Sequence, residues 1–564
     1  MLNRRFFSGG ARRLAAIGTI PAAVAALAIA ANAPASAAPA VTFTVNSTGD
    51  AADSGKNGQC RTSGNVCTLR AALMEANWTG QPVTINFNIS GSGVKTINVG
   101  KRLPAVANAS GITINGYSQP GSRANSSSTA SNARILIELK GKGPKTFDGL
   151  TVTKDNNVIR GLAVYNFAAQ IRLTGNDADN NKVVGNFVCT NAAGTFSGSG
   201  SGQMGVFLHN GPSNNQIGTD AVGDRNVVSG CGNRGVNLSF LPTVNNTIRN
   251  NLVGLAPSGT RALANKSNGI DINYTSNNLI TGNVMSGNGG SGAEDSHGMG
   301  NHDNKFENNL IGATPSGGSA SYAGNGQWGI RFEGPYHCGR TGQANPSGCT
   351  DAGVAEGLPH NNVARGNVIV SNRHGGIFVD KGHNRVQILD NYIGVTRSGA
   401  NAGNNTGGII VQRGPYGLKI TNNRIANTGF AVQISSLGGS PTGKEQRTYD
   451  NLISRNSMWN VTTGIQFNFN NPALVQDGIK PPSLTAAGGR KITGKACGGC
   501  TVELFVASGS SVKAGKTLVS TVTASSSGSF STTALSAPAG SRITGVAISS
   551  TKDTSQFQAP VTLR

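Results

Sequence analysis

The sequence predicts an all-β fold: a long solenoid of stacked coils followed by a small β-sandwich. Three observations lead to this prediction. Short Val, Ile and Leu runs recur throughout a glycine-rich chain, with 80 Gly in 564 residues. Residues 149 to about 470 repeat in units too short to bury a core of their own. Residues 487–564 lose this repeat and keep short strands spaced by Gly and Ser turns, which is typical of an Ig-like sandwich.

The first 37 residues read as a signal peptide. A basic start with Arg4, Arg5, Arg12 and Arg13 precedes an apolar run from 14 to 31 and an Ala-Ser-Ala cleavage site at 35–37. Export through either the general or the twin-arginine route fits this pattern. No other apolar run reaches the roughly 18 residues of a membrane span. We therefore expect a secreted, extracellular protein that is monomeric.

Net charge indicates which classes of molecule the chain could bind, and cysteine content indicates its redox compartment. The formal charge of +22 falls to +18 without the four leader arginines, which favours acidic partners. No dense basic block with interleaved aromatic residues is present, so nucleic-acid binding is an unfavoured alternative. Eight cysteines fit an oxidising compartment. Proximity predicts the pairs Cys60–Cys67, Cys338–Cys349 and Cys497–Cys500, which leaves Cys189 with Cys231.

The repeat contains two apolar elements. The first has the form Gly-Ile-x-apolar-x, with copies mostly 21 to 35 residues apart but 60 apart between GIDIN and GIRFE. Because side chains alternate across a strand, its third and fifth residues should face outward. The copies are GLTVT (149), QIRLT (170), GVFLH (205), GVNLS (235), GIDIN (269), GIRFE (329), GIFVD (376), GIIVQ (408), AVQIS (431) and GIQFN (464).

The second element carries a recurrent asparagine. Stacked inward at a turn, such amides can hydrogen-bond from coil to coil, so we predict an Asn ladder with a structural role. Its members are Asn186, Asn226, Asn251, Asn283, Asn309, Asn367, Asn391, Asn423 and Asn456.

Four further segments resemble a known family. TFTVNSTGD at 42–50, CTLRAALMEAN at 67–77, TINGYSQPGS at 113–122 and the repeated NNLIG-like motifs are similar to secreted bacterial right-handed parallel β-helix proteins with an N-terminal CSLREA-type segment. Thr68 and Ala71 depart from that name motif. The resemblance spans about residues 41–470 and implies a right-handed parallel β-helix. β-Helices as a class include pectate lyases and polygalacturonases, while many members of this family are surface proteins without known activity.

These observations divide the chain into five parts. Residues 1–37 are the signal peptide, 38–118 a CSLREA-like capping segment, 119–471 the β-helix, 472–486 a linker and 487–564 the sandwich. The sandwich shows no aromatic sugar platform, so we expect it to be a spacer.

Apart from Arg172, outward positions are charged only in the middle coils, where six of the seven histidines also lie between 297 and 383. Glu333 and Asp380 stand on successive coils and should be roughly 5 Å apart, with Asp271 about 10 Å from Glu333. Such spacings suit either retaining or inverting glycosidases. A close pair would also raise one pKa and create a general acid. Glu333 is the candidate acid/base and Asp380 or Asp271 its partner, unless Glu333 merely pairs with Arg331 at the surface.

The stretch GAEDSHGMGNHDN, residues 292–304, breaks the apolar pattern beside these coils. We expect an irregular coil that borders a substrate groove, with the insertion 334–360 as its wall. A lyase would need a base and a positive charge to stabilise an enolate, which Arg331, Lys381, His297 or His302 could provide. The candidate catalytic residues are Glu333, Asp380, Asp271, Arg331, His297, His302 and Asp303.

Other residues are candidates for binding. Asp271, Asp295 and Asp303 could hold Ca²⁺, the only cofactor suggested, and no His-x-x-x-His spacing supports zinc. The candidate substrate-binding residues are Trp328, Tyr336, Phe378, His374, Lys381 and His383.

The sequence thus favours a secreted enzyme that degrades an extracellular, acidic polysaccharide by hydrolysis or β-elimination. The alternative is a non-catalytic adhesin or envelope-binding solenoid. Nucleic-acid binding would be strongly salt-dependent and indifferent to sugars.

Overall fold

The computed structural model describes residues 40–198, 202–296, 300–334, 359–437, 446–509 and 512–564. The predicted signal peptide, His297, Tyr336 and the predicted Cys338–Cys349 pair lie outside these residues. The regular secondary structure of the described residues is almost entirely β, and the long sheets are parallel. The predicted all-β, right-handed parallel β-helix is therefore confirmed. No helix in the described ranges is both long and apolar enough to cross a membrane.

Each coil of the solenoid contributes to three parallel ladders of strands. The first ladder is the 13-stranded sheet. Its strands are Val41–Val45, Val83–Phe87, Ile112–Asn115, Val158–Arg160, Lys182–Val184, Gln216–Ile217, Thr247–Arg249, Leu279–Thr281, Lys305–Glu307, Val363–Arg365, Gln387–Leu389, Lys419–Thr421 and Leu452–Ser454.

The second ladder contains the apolar part of the predicted second element. Its strands are Lys95–Asn98, Ile137–Lys140, Leu162–Tyr165, Phe187–Val188, Val227–Val228, Leu252–Val253, Val284–Met285, Leu310–Ile311, Val368–Ile369 and Tyr392–Ile393.

The third ladder contains the predicted first element. Its strands are Leu150–Val152, Ala169–Thr174, Met204–His209, Val236–Ser239, Ile270–Asn273, Ala293–Ser296, Trp328–Phe332, Gly375–Val379 and Gly407–Gln412. The second and third ladders merge in two long strands, Arg424–Ser435 and Ser457–Asn468.

The first ladder already begins at Val41, within the segment predicted as an N-terminal cap. The α-helix Leu69–Trp78 interrupts that segment, and the Thr68 hydroxyl caps it by accepting a hydrogen bond from the Ala71 amide at 3.0 Å. Leu69 and Leu73 of this helix belong to the same buried core as the first strands. Short 3₁₀ turns occur at Gly116–Ser118, Val222–Asp224, Pro472–Leu474 and Gln476–Gly478.

The predicted Asn ladder is present in full. Each amide side chain in the series from Asn186 to Asn456 accepts a hydrogen bond from the coil before. The donor is a backbone amide, as in Asn283 N–H to Asn309 Oδ1 at 3.0 Å, except at Asn251, which accepts from Asn226 Nδ2 at 2.9 Å. Two further ladders were not predicted. They comprise Asn157, Asn181, Asn215, Asn246, Asn278, Asn304 and Asn362, and Asn265, Asn288, Asn325, Asn372 and Asn404.

The C-terminal module consists of two antiparallel sheets around one core that includes Leu504 and Phe530. The strands are Ser483–Ala487, Lys491–Lys495 and Ser529–Ser531 in one sheet, and Gly515–Thr523, Thr501–Ala507, Arg542–Ile548 and Val561–Thr562 in the other. The module packs against the last coils, because Phe557 joins the solenoid core and the Ile453 amide donates to Thr554 Oγ1 at 2.9 Å. It therefore covers a solenoid end that would otherwise be exposed.

Three of the predicted disulfides are formed: Cys60–Cys67, Cys189–Cys231 and Cys497–Cys500. The Cys189–Cys231 disulfide links residues 42 apart and lies in the solenoid core.

We expect a Cys189→Ala, Cys231→Ala double variant to lose about 2–4 kcal/mol of unfolding free energy, because the unfolded chain regains loop entropy. Urea unfolding would measure this. The matched Cys497→Ala, Cys500→Ala variant opens a loop of only 3 residues and should lose less. An equal loss in both variants would contradict the loop-entropy explanation.

Candidate functional site

The segment that breaks the sequence pattern begins as a regular strand. Ala293–Ser296 pairs with Ile270–Asn273 on one side and with Trp328–Phe332 on the other, with no change of register. The expectation of an irregular coil was therefore wrong for its first half. A parallel ladder is held by backbone hydrogen bonds, so it can accept acidic side chains wherever those side chains find partners.

This register places charged residues in line on the outer face of the third ladder. Asp271, Glu294, Arg331 and Phe378 occupy equivalent positions on four successive coils. Glu294 therefore stands between two predicted site residues.

Asp271 is completely buried and has four partners. Arg234 Nε donates to its Oδ2 at 2.8 Å, and Asn268 Nδ2 donates to the same oxygen at 2.8 Å. Its Oδ1 accepts from Asn237 Nδ2 at 3.2 Å and from Ser296 Oγ at 3.1 Å. These contacts fix the carboxylate on the outer face.

Glu294 and Glu333 share a cationic partner. Arg331 lies 3.6 Å from Glu294 Oε1 while it pairs with Glu333, and Asn268 Nδ2 donates to Glu294 Oε2 at 2.9 Å. Burial, reinforced by the negative charge of Asp271 and by a hydrogen bond with Glu333, raises the pKa of Glu294 to about 9. Glu294 therefore holds a proton near neutral pH.

We call Asp271, Glu294, Glu333, Arg234 and Arg331 the acid–arginine cluster. Its acidic side chains are at most 5% exposed, whereas the Arg234 and Arg331 side chains are 27% and 22% exposed. The arginines thus lie between the carboxylates and solvent. They neutralise the acids and present positive charge on the outer face.

Glu333 and Asp380 follow each other on successive coils, as predicted: Glu333 N–H donates to Asp295 O and Asp380 N–H to Phe332 O. Their side chains have separate cationic partners, however. Asp380 pairs with Arg413, whose Nε lies 2.5 Å from Oδ1, and Glu333 pairs with Arg331. Glu333 therefore does form the ion pair with Arg331 that was the alternative to a catalytic role. The Glu333 carboxylate of this pair is buried rather than at the surface.

Asp295 points the other way, into the coil. It is in register with Ile272 and Phe332, both core residues, and is completely inaccessible. Asn301 Nδ2 donates to its Oδ1 at 2.6 Å, yet burial raises its pKa to about 8. The predicted calcium trio of Asp271, Asp295 and Asp303 is thus divided among the outer face, the core and a turn. Within the described residues, the clusters with metal-ligand spacing contain neither Asp271 nor Asp295.

His383 was also misplaced by the sequence interpretation. It is completely buried, its Nε2 lies 3.0 Å from the Glu333 carbonyl oxygen, and burial lowers its pKa to about 4. A neutral ring inside the coil cannot contact a substrate. Its position supports the backbone of Glu333 instead.

The other predicted binding residues lie close together, but Phe378 is buried at 8% exposed and Trp328 is half-buried. The Trp328 ring is 4.9 Å from the Phe378 ring and 6.0 Å from that of exposed His374. Arg331 lies over the Phe378 ring at 5.8 Å, so this aromatic group adjoins the acid–arginine cluster. Lys381 is half-buried and follows Asp380. The Lys381 backbone amide donates a hydrogen bond to Asp380 Oδ1. His302 and Asp303 lie at a turn, apart from this face of the ladder.

Sequence reasoning missed Glu294, Arg234, Asn268 and Arg413 as members of the site. The signal that could have revealed Glu294 was the alignment of AEDS (293–296) with IDIN (270–273). Arg234, Asn268 and Arg413 come from turns outside the repeated elements. An aromatic row was also missed. His209 contacts exposed Phe240 at 5.2 Å, and Phe240 stacks on Tyr274 at 5.7 Å.

The two raised carboxyl pKa values predict how stability depends on pH. Glu294 and Asp295 bind a proton more tightly when folded, so their stabilising contribution is complete below about pH 4 and is lost as the pH rises towards 8 to 9. The melting temperature should therefore fall between pH 5 and pH 9. Asp295→Asn, which mimics the protonated acid, should reduce that slope. An unchanged slope in this variant would show that Asp295 does not contribute.

Comparison with known proteins finds only distant likenesses to solved structures. No protein-family model matches the chain, and no curated protein matches it in sequence. Among solved structures, the Dettilon tailspike protein is 13% identical with a TM-score of 0.47, over 85% of this chain and 76% of that one. The Azotobacter vinelandii mannuronan C-5 epimerase AlgE6 A-module is 13% identical with a TM-score of 0.39, over 75% and 97%. An alginate lyase from Paenibacillus is 14% identical with a TM-score of 0.30, over 72% and 96%. At such identities and scores the likeness carries no functional argument, so function must be argued from the side chains of the acid–arginine cluster.

Proposed function

We propose that this protein is a secreted carbohydrate-active enzyme that cleaves an acidic polysaccharide on the outer face of the third ladder. The observation that carries the proposal is the Glu294–Glu333 carboxyl pair, whose two members share Arg331 as their cationic partner. The pair places a protonated acid beside a cation.

The partly exposed arginines support an acidic substrate. Arg234, Arg331 and Arg413 are anchored by Asp271, by the Glu294–Glu333 pair and by Asp380, respectively. A guanidinium held in place by a carboxylate keeps donors directed outward, and these match a carboxylate or sulfate on a sugar. The formal charge of +18 that remains without the leader arginines would also attract such a polymer.

Aromatic rings on the coils of the cluster support an extended ligand. Trp328 stands on one of these coils and packs against buried Phe378 on the next coil, whereas Phe240 and Tyr274 directly follow the strands of two other cluster coils. Trp328 and Tyr274 are half-buried and Phe240 is exposed, so these rings provide apolar contact area for the faces of sugar rings at little entropic cost. A chain running along the ladder would contact both groups.

The carboxyl pair could serve either hydrolysis or β-elimination. In hydrolysis, Glu294 would protonate the leaving oxygen, and the rate would fall as pH rises through about 9. In elimination, deprotonated Glu294 would remove the proton α to a uronate carboxyl while Arg331 stabilises the enolate. The enolate would then expel the glycosidic oxygen from the β carbon, which forms the C=C bond, and the leaving oxygen would take a proton from water. The rate would then rise towards the same pH. The pH–rate profile therefore distinguishes the two reactions.

Burial of the four carboxylates favours a second candidate, a glycan-binding solenoid without catalysis. Asp271, Glu294, Glu333 and Asp380 are each at most 4% exposed, so their role could be limited to holding arginines in place. Such a protein would bind acidic glycans and leave them intact.

An activity screen of the purified mature chain tests both candidates. Acidic and neutral polysaccharides would be incubated with and without calcium, while new reducing ends and ultraviolet-absorbing unsaturated products are followed. Cleavage that is lost in Glu333→Gln but kept in Glu307→Gln, a matched change on the first ladder, would support an enzyme at this site. Cleavage that survives in Glu333→Gln would count against this site. Binding without cleavage would favour the second candidate, and salt-sensitive binding indifferent to the sugar would indicate a nucleic-acid binder.

A further inference from the structure

The turns that lead from the third ladder to the first bring together three potential metal ligands. His302 and His360 are 58 positions apart in sequence but form a parallel β-bridge on successive coils. The Asp303 amide donates to the His360 carbonyl oxygen at 3.2 Å, and the His360 amide donates to Asn301 O at 3.2 Å. The backbone therefore fixes where these side chains start.

The side chains converge outside the coil. The imidazole rings of His302 and His360 stack at 5.1 Å with an interplanar angle of 15°. His302 Nδ1 lies 2.8 Å from Asp303 Oδ2. One ligand atom from each of the three residues lies within 4.8 Å of the others, and all three side chains are half-buried. Small rotations of the side chains would bring these atoms around one ion.

We propose that His302, Asp303 and His360 bind a divalent transition-metal ion of the zinc class. Two imidazole nitrogens and one carboxylate oxygen suit Zn²⁺, Co²⁺ or Ni²⁺, whereas Ca²⁺ prefers oxygen ligands alone. Because the residues are half-buried, water can reach the remaining coordination position. The site goes beyond the proposed function and does not depend on it.

The turn itself does not require histidine. At the position of His302 and His360, the flanking coils have Ser276 and Asn384 in the same line of bridges and backbone hydrogen bonds. The coil spacing is set next to it by the buried Asn ladder, in which the Asn304 amide donates to Asn362 Oδ1 at 2.9 Å. His302 and His360 are therefore not needed to form the turn. Their imidazoles lie beside the Asp303 carboxylate, which is the arrangement that a metal site requires.

Metal binding to the untagged mature chain tests the site directly. The chain would be treated with a chelator, dialysed and titrated with ZnCl₂, CoCl₂ and CaCl₂ by calorimetry, and the visible spectrum of the Co²⁺ form recorded. The variants are His302→Gln and His360→Gln. His374→Gln, which changes an exposed histidine beside Trp328, is the matched control.

We expect about one equivalent of Zn²⁺ or Co²⁺ per chain and a rise in melting temperature with Zn²⁺, since an ion that binds the folded state stabilises it. Each cluster variant should bind at least about tenfold more weakly, while His374→Gln binds like the parent. Binding that survives in both cluster variants, no stoichiometric binding, or preference for Ca²⁺ would overturn the site. If a variant fails to fold, the parent's Co²⁺ spectrum decides: nitrogen ligation supports the site, and an oxygen-only spectrum overturns it.

Discussion

Glu294→Gln should lower turnover of the cleaved polysaccharide by about 10²–10⁴-fold, the range expected for loss of a general acid or base. Glutamine keeps the size of glutamate and can still accept the hydrogen bond from Asn268, which is 2.9 Å from Glu294 Oε2. It cannot donate or accept the transferred proton. The loss should therefore appear in kcat, with little change in melting temperature near neutral pH, where Glu294 itself holds a proton.

The kinetic measurement needs a control with the same chemistry. Glu307→Gln removes a half-buried carboxylate that lies 4.0 Å from Arg365 on another face of the solenoid, and it should leave kcat unchanged. Full activity in Glu294→Gln would remove Glu294 from the mechanism. Equal losses in both variants would point to a general effect of charge rather than to proton transfer.

Asn309→Ala should lower the free energy of unfolding by about 3–5 kcal/mol, because it strands several buried polar groups at once. Asn309 Nδ2 donates to the Ile280 carbonyl oxygen at 2.9 Å and to Asn367 Oδ1 at 3.0 Å. Its Oδ1 accepts from the amide and the side chain of Asn283. The site is completely buried, so water cannot replace these bonds.

Thermal and urea unfolding midpoints of Asn309→Ala would be compared with those of Asn405→Ala, an exposed asparagine beside a ladder residue. The control should stay close to the parent. A similarly small shift in Asn309→Ala would mean that the ladder contributes little to stability.

Periodicity made the third ladder and the Asn ladder predictable. The inward alternation of Ile270 and Ile272 and the recurrence of Asn309-like residues are local patterns, and both were confirmed. The first ladder was harder to recognise as separate. Its strands, such as Lys182–Val184, are two to five residues long and can be only a Gly-Asn step away from the second ladder. A run this short carries no clear alternation.

The composition of the site depended on the tertiary structure. Sequence indicated Asp271, Arg331, Glu333 and Asp380 on the outer face, but not that each carboxylate would be buried. Arg234, Asn268 and Arg413 reach the site from turns, and the distance along the chain does not reveal which coil a turn meets. His302 and His360 illustrate this most directly, since 58 residues separate two rings that stack.

The sequence by itself determined the repeat, the inward and outward faces of its strands and the Asn ladder. Proximity along the chain predicted three disulfide pairs that the structure contains, but the structure was needed to establish them. Only the tertiary structure decided that Ala293–Ser296 is a strand, that Glu294 and Glu333 share Arg331 as a partner, and that Asp295 and His383 lie inside the coil. The physical reason is that strand alternation follows from neighbouring residues. Contacts between coils depend instead on how many residues each turn absorbs before the backbone hydrogen bonds restore the register.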